Sequence, residues 1–449
     1  MNSIGLDIGT SSICVCVLDN QNGSIVDSTA FSNNFNVNGR DYERKQNASE
    51  IIEKCVSAVD LFVERHSPVS CIGVTGQMHG IVYVDKNCNP VSDLFTWQDM
   101  TGLEKAENGL SYAETLSGLT GYKMSSGFGA TTLFCHKLKN EIPENAVKIC
   151  TVHDLAAAKL AGLKSPVIHS SDAQSFGLFD NEIKKIDKKA VLNAGLDLSL
   201  FPDVINDAVI IGKHRGIPVC CAIGDNQASF IGSVNNPEDS LLLNFGTGSQ
   251  ISFLTSQNNI QNIDNAEIRP YHQSNNLFVG SALCGGKAFS LLESFIRSVL
   301  NLTDCNYDSA YPFIDRFLEK NGEPSNPLKV TTSFCGTRSD SGKKGSIENI
   351  GPENFTAQHL IYGVLHGMAD ELAEIYNKCD NKNHRFMVGS GNGLRKNKTL
   401  QKILTDTFGL KLKMPLHTEE AAYGACLYAM TAAGVYATLE EAQKLINYN

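Results

Sequence analysis

Ile4-Gly5-Leu6-Asp7-Ile8-Gly9-Thr10-Ser11-Ser12-Ile13-Cys14-Val15-Cys16-Val17-Leu18 is the stretch on which the fold turns. Two apolar runs flank a Gly-Thr-Ser turn, which predicts a strand, a tight turn and a returning strand. Asp19 to Gly23 turns again, and Ile25 to Phe31 supplies a third strand. The same device returns past the middle of the chain. Leu241 to Phe245 is a strand, Gly246-Thr247-Gly248-Ser249 a turn, and Gln250 to Leu254 the returning strand. A repeat at roughly half the chain length signals duplicated domains rather than a solenoid. The economical organisation is two α/β domains, residues 1–232 and 233–449, joined near the polar segment Gly232 to Asp239.

Outward from these meanders, Ser49 to Arg65 carries apolar residues at helical spacing, with Asn47 and Glu50 placed to cap it. Val69 to Thr75 reads as a buried strand, Gly76 to Gly80 leaves its end, and Ile81 to Val84 resumes the sheet. In the second half, Gly286 to Leu300 and Thr356 to Cys379 are helical. Arg385 to Val388 is a strand, followed by a glycine loop and a helix through Phe408. Leu410 to Met414 is a strand, and Thr418 to Ala433 is a helix of small residues.

Composition narrows the class. The chain has 449 residues, 42% hydrophobic, with 21 Phe and 13 Tyr, which excludes a disordered polymer. A net charge of -10 argues against a nucleic-acid binder, which shows a basic stripe. No apolar run approaches the ~18 residues of a membrane span, and no basic-then-apolar leader opens the chain. The 14 cysteines are scattered with no C-x-x-C pair. They read as reduced core residues of a cytoplasmic protein, not as disulfides or a zinc set.

Four stretches can carry chemistry. Gly9-Thr10-Ser11 offers backbone N–H groups and hydroxyls to a phosphate, and Asp7 before it can hold Mg²⁺ through water. Taken alone, this is an ordinary hairpin with a surface Asp7. Its twin at Gly246-Thr247-Gly248 tips the reading to a pair of phosphate turns, one per domain, clamping a nucleotide tail. Gly224-Asp225-Asn226-Gln227 ends an apolar strand, Val219 to Ile223. Asp225 is either a helix cap or a carboxylate base for a hydroxyl attacking phosphorus. Gln77-Met78-His79, followed by Trp97-Gln98-Asp99 with the only Trp of the chain, supplies polar groups beside an apolar ring, as hydroxylated ligands require. The plain alternative is a turn with a structural His and a core Trp. Gly389-Ser390-Gly391-Asn392-Gly393 lets backbone approach a ligand or simply enters a helix. It lacks the G-x-G-x-x-G spacing.

The ordered set resembles the FGGY carbohydrate kinases, of the sugar kinase, actin and heat-shock chaperone superfamily. It runs D-x-G-T-S at 7 to 11, G-Q-M-H-G at 76 to 80, W-Q-D at 97 to 99 and G-D-N-Q at 224 to 227. It continues with N-F-G-T-G-S at 244 to 249, G-S-G-N-G-L-R-K-N at 389 to 397 and E-A-A-Y-G-A at 420 to 425. The resemblance implies two ribonuclease-H-like domains, each on a mixed five-stranded sheet, with a catalytic cleft between them. It implies ATP and Mg²⁺, with sugar on the first domain and nucleotide mainly on the second. Asp225 would be the base, and Asp7 the metal site. Gly9, Thr10 and Ser11 would face Gly246, Thr247 and Gly248 across the phosphates. Gln77, Met78, His79, Trp97, Asp99 and Asn226 would contact sugar. Gly285, Gly286, Gly389, Ser390, Gly391, Asn392 and Asn397 would contact adenosine.

Within the family, Q-M-H-G with W-Q-D is similar to the members that phosphorylate sedoheptulose, xylulose being the next choice. The family's Gly-Arg after W-x-D is absent here; Met100-Thr101-Gly102 stands in its place. The expected partners are therefore a small sugar and ATP, without nucleic acid or membrane, and a homodimer is compatible with this. An ATPase of the actin or chaperone kind would use the same two phosphate turns, but it has no need of Q-M-H-G and W-Q-D.

Overall fold

The alternation of the first thirty residues gives the expected meander. In the computed structural model, which describes residues 1–260, 263–303, 306–337, 340, 342–380 and 383–449, Asn2–Ile8 pairs antiparallel with Ser12–Asp19, and Ser12–Asp19 with Ile25–Ser32. Ser12–Asp19 is buried almost throughout, because it lies inside the sheet. Ile25–Ser32, at the edge, alternates between covered and exposed residues, as a strand with one wet face does. Val69–Gly76 adds parallel to Asn2–Ile8, and Ile217–Cys220 and Ile223–Gly224 add parallel to Val69–Gly76. Ile210–His214 completes the row.

The second sheet repeats this order. Ser240–Phe245 pairs antiparallel with Ser249–Thr255, which neighbours Asn276–Ala282. On the other side Phe386–Ser390 and then Lys411–Lys413 add in parallel. In both sheets the spatial sequence is third, second, first, fourth and fifth strand of the repeat. The five-stranded expectation holds at this core, and each sheet carries extra edge strands: Ala266–Pro270 in the second, Ile210–His214 in the first.

Contacts divide the chain into two units. The first comprises Met1–Asn235, Arg269–Asn276 and Glu419–Asn447; the second comprises Asn236–Ile268, Leu277–Thr418 and Tyr448–Asn449. A single division after residue 232 assigns two of those segments to the other half. In the first unit, helix Ala48–His66 buries Ile51, Cys55, Val59 and Phe62 beneath the sheet, with Asn47 accepting the Glu50 N–H as its cap. A satellite core forms around Tyr83, Leu133, Phe134 and Phe176. In the second unit, helix Ala357–Asn377 packs Leu365, Met368 and Leu372 into the main cluster. Each such side chain contributes roughly 1.5–3 kcal/mol by leaving water.

Helix Glu420–Ala432 explains the small residues of its sequence. It lies against Asn2–Ile8 and Val69–Gly76 and crosses helix Asp225–Ser233. A Cβ at Gly424 would sit 1.8 Å from Ala228 O, and one at Gly232 would sit 1.9 Å from Glu420 O. The two backbones therefore meet at glycine on both sides.

Three local expectations change. Ile81 to Val84 does not rejoin the main sheet: Val82–Val84 pairs with Lys148–Cys150 as a separate two-stranded ribbon. The strand before Asp225 is interrupted at Cys221-Ala222. The helix after the glycine loop is two helices, Asn392–Lys396 and Lys398–Phe408, parted at Asn397, whose Oδ1 accepts the Leu400 N–H. The thirteen described cysteines are all free; twelve are buried and Cys335 is exposed. Cys305 lies outside the described residues. Among the described residues, no helix is long and apolar enough to cross a membrane.

Candidate active site

Three parallel strands of the first unit end at one level. Ile8 is in register with Gly76, and Gly76 with Gly224. Gly9, Gln77 and Asp225 therefore leave the sheet side by side at its carboxyl edge, where open α/β sheets place ligands. Thr75 Oγ1 donates to Ile223 O at 2.6 Å and fixes the strand that delivers Asp225. Asp225 is the first residue of helix Asp225–Ser233, and Gly224 is its cap. The capping alternative for Asp225 is thereby set aside.

The Gly9-Thr10-Ser11 turn is held by its carbonyls. Asn33 Nδ2 donates to Gly9 O, Gln46 Nε2 to Thr10 O, and the Asn33 N–H to Ser11 O, at 2.8 to 2.9 Å. Among the described residues no acceptor takes the N–H groups of Thr10 or Ser11. This is the arrangement an anion-binding turn needs.

Asp7 and Asp225 stand together at this edge. Burial, then the Asp225 charge, pushes Asp7 up to about 7. Its Oδ1 is out of solvent and has no hydrogen-bond partner among the described residues. Burial also raises Asp225, to about 6, against the opposing pull of His153 and Arg269. A buried carboxylate pair with an orphaned oxygen suits a divalent cation, and it suits a base that must be unprotonated near neutral pH.

The predicted sugar contacts divide into two groups. Gln77 is buried, accepts from Thr10 Oγ1 at 3.3 Å, and donates to Gln46 Oε1 at 3.0 Å. Met78 is buried against Gly224: its Sδ and Cε would lie 2.7 Å from a Cβ there. His79 stacks on Phe128 at 4.8 Å between ring centroids. Trp97 is not a core residue: 47% of it is exposed, and its Nε1 donates to Thr10 Oγ1 at 3.0 Å. Asp99 differs. It is 1% exposed, and its two oxygens accept the N–H groups of Arg44 and Thr101, so it builds the loop that carries Trp97. Asn226 follows Asp225 in the first turn of the helix.

In the second unit the glycine loops also converge. The Gly286 N–H donates to Gly246 O and the Lys287 N–H to Thr247 O, each at 2.9 Å, which ties Gly285-Gly286 to the Gly246-Thr247-Gly248 turn. Asn244 is in register with Ser390, so Phe245 and Gly391 leave their strands together. Ser390 Oγ is buried with no partner among the described residues, and Asn392 opens the next short helix. Asn397 spends its side-chain oxygen on its own helix. Gly389 packs beneath the loop, where a Cβ would meet Met414 Sδ at 2.5 Å.

Sequence reasoning missed a buried polar layer under the first site. His153 and Asp154 open helix Val152–Ala161, and His153 Nε2 lies 3.0 Å from Asp172 Oδ1, all three residues being buried. Burial alone would lower His153, but Asp172, Asp154 and Asp225 outweigh it and hold the imidazole at about 9, so it is charged at neutral pH. Through space, Arg269 acts on Asp225 and Glu419 on Asp7. The one local signal was a His-Asp pair heading the apolar run Leu155 to Ala158.

Two family models match this chain: the N-terminal domain of the FGGY family of carbohydrate kinases over residues 2–232, and its C-terminal domain over 306–433. The chain belongs to the FGGY family of carbohydrate kinases. It is an ATP-dependent carbohydrate kinase with the family's ribonuclease-H-like fold. The actin-like and chaperone-like ATPase reading is set aside. A sedoheptulokinase of Mus musculus is 24% identical over 95% of this chain and 96% of its own. A xylulose kinase of Staphylococcus xylosus is 24% identical over 98% of this chain and 92% of its own. Among solved structures, the ligand-bound xylulose kinase of Lactobacillus acidophilus superposes with TM-score 0.82 at 17% identity, covering 100% of this chain and 92% of that one.

Proposed function

We propose that this kinase transfers the γ-phosphoryl group of ATP to the primary hydroxyl of a ketose, and that the ketose is sedoheptulose. The observation that carries the reading is Asp225: a carboxylate raised to about 6 at the sheet edge, with Gln77 leaving beside it and Met78 packed against Gly224. Asp225 takes the hydroxyl proton as the sugar oxygen attacks phosphorus and ADP departs. Gln77, Met78, His79, Trp97 and Asn226 hold the sugar, while Asp99 shapes the Trp97 loop. The Thr10 and Ser11 N–H groups are phosphate donors, and the Gly246 to Gly248 turn is a second phosphate turn. Gly285, Gly286, Gly389, Ser390, Gly391, Asn392 and Asn397 form the adenosine side. The Asp7 carboxylate, with its orphaned Oδ1, suits Mg²⁺, which when bound would neutralise phosphate charge.

Sedoheptulose is favoured by W-Q-D at 97 to 99 beside Q-M-H-G, and a full-length sedoheptulokinase relative supports it. Xylulose is the second reading, supported by the xylulose kinase relative and the shared Q-M-H-G. Ranking kcat/KM for sedoheptulose, xylulose, ribulose and fructose decides the matter. A rate for any other ketose above that for sedoheptulose overturns the assignment.

The raised base also sets a pH profile. Asp225 works as the carboxylate, so kcat/KM for the ketose should rise through about pH 6 and level above it. An acidic limb near pH 4, where an ordinary carboxylate titrates, would contradict the assignment.

On the nucleotide side, Gly391 has φ 85°, and a Cβ on it would lie 2.5 Å from Phe245 O. Gly391→Ala should raise KM for ATP about tenfold, the scale of 1–3 kcal/mol of backbone strain, and leave KM for the ketose within twofold. Steady-state kinetics with each substrate varied in turn checks it.

A further inference from the structure

Resting on the kinase reading above, we infer that helix Ser170–Ser175 is a positioning element that sets the proposed base and the sugar loop through two serine hydroxyls. Ser171 Oγ accepts the Gly224 N–H at 3.1 Å, directly before Asp225. Ser175 Oγ accepts the His79 N–H at 3.0 Å, and Ser175 O accepts His79 Nδ1–H at 2.9 Å. That second bond fixes the tautomer, so Nε2 is the acceptor nitrogen of the neutral His79 ring. His79 also sits at φ 72°, a region a non-glycine residue keeps only when its surroundings hold it.

The helix itself is anchored at two points, by His169 at its start and by His153. The Ser171 N–H donates to His169 Nδ1 at 3.2 Å, so the His169 proton is on Nε2, which faces Tyr428 Oη at 3.1 Å. The Ser171 hydroxyl proton has His169 Nδ1 at 2.9 Å and Asp172 Oδ2 at 3.2 Å within reach. Ser175 Oγ donates to Asp172 O at 2.7 Å. Asp172 in turn pairs with His153 at 3.0 Å. Ser171, Asp172, His153 and His169 are wholly buried. A desolvated pair of this kind costs much to build, and breaking it leaves an uncompensated charge. It supports six residues whose outward bonds go to the two halves of the site.

Removing His153 or Asp172 threatens the fold, so the test deletes single hydroxyls in the full chain. Ser171→Ala should lower kcat about five- to tenfold with both KM values within twofold, because it loosens the base. Ser175→Ala should raise KM for the ketose about five- to tenfold with kcat within twofold, because it loosens His79. A merely structural role would move both constants alike in both variants, and that result, or no change in either, overturns the proposal. Amide hydrogen exchange gives a readout independent of substrate. Exchange should quicken at residues 223–227 in Ser171→Ala and at 76–80 in Ser175→Ala. If the wild type turns over no ketose, the substrate reading fails while exchange still decides the positioning role: unchanged exchange at both segments overturns it.

Discussion

Asp225→Asn should bind ATP and sugar as the wild type does and turn over at least ~10²-fold more slowly, the scale of general-base catalysis. The substitution keeps the shape of the side chain and the helix that begins with it. It removes a negative charge from beside Asp7 and, equally, from beside His153 and Arg269, so a repulsion and an attraction are lost together. The lost rate therefore reports the lost proton acceptor. Single-turnover kinetics with isothermal titration of each substrate separates binding from chemistry. A variant with near-normal kcat would remove Asp225 from the reaction.

Gly424→Ala should cost about 3 kcal/mol of stability, the upper part of the range for overpacking a tight core. The added methyl would fall 1.8 Å from Ala228 O, and backbone cannot rotate away as a side chain can. The two helices must separate, and one of them begins with Asp225. Denaturant unfolding should show a lower midpoint, and kcat should fall with it. A midpoint equal to the wild type would mean that the helices already have room.

Much of this site is legible in sequence, and the reason is local. Alternation and turn chemistry specify the hairpin around Asp7, Gly9 and Thr10, and its copy at Gly246 to Gly248 confirmed it by repetition. Gly224-Asp225 follows an apolar run, so the strand end and the helix start can be read from neighbours. Other features depend on partners far along the chain. His153 and Asp172 meet only because helices Val152–Ala161 and Ser170–Ser175 come together. Nothing near Val82–Val84 shows that it prefers Lys148–Cys150 to the main sheet. Asp99 reads as a ligand because an acidic residue after Trp-Gln invites that reading, yet one of its oxygens accepts the N–H of Arg44, 55 residues earlier, and the other that of Thr101. The small residues of 420 to 425 read as a helix, but the helix Asp225–Ser233 that they meet is far away in sequence.

The return of Glu419–Asn447 to the first unit bears on how the protein is made. The strands Asn2–Ile8 and Val69–Gly76 emerge from the ribosome early, but the helix that covers them is among the last segments translated. At about 5–20 residues per second, the nascent sheet waits on the order of tens of seconds with one apolar face uncovered. During that interval the growing polypeptide exposes a surface that holdase chaperones bind. Premature termination shortly before residue 419 would release both sheets intact and yet leave the first without its lid.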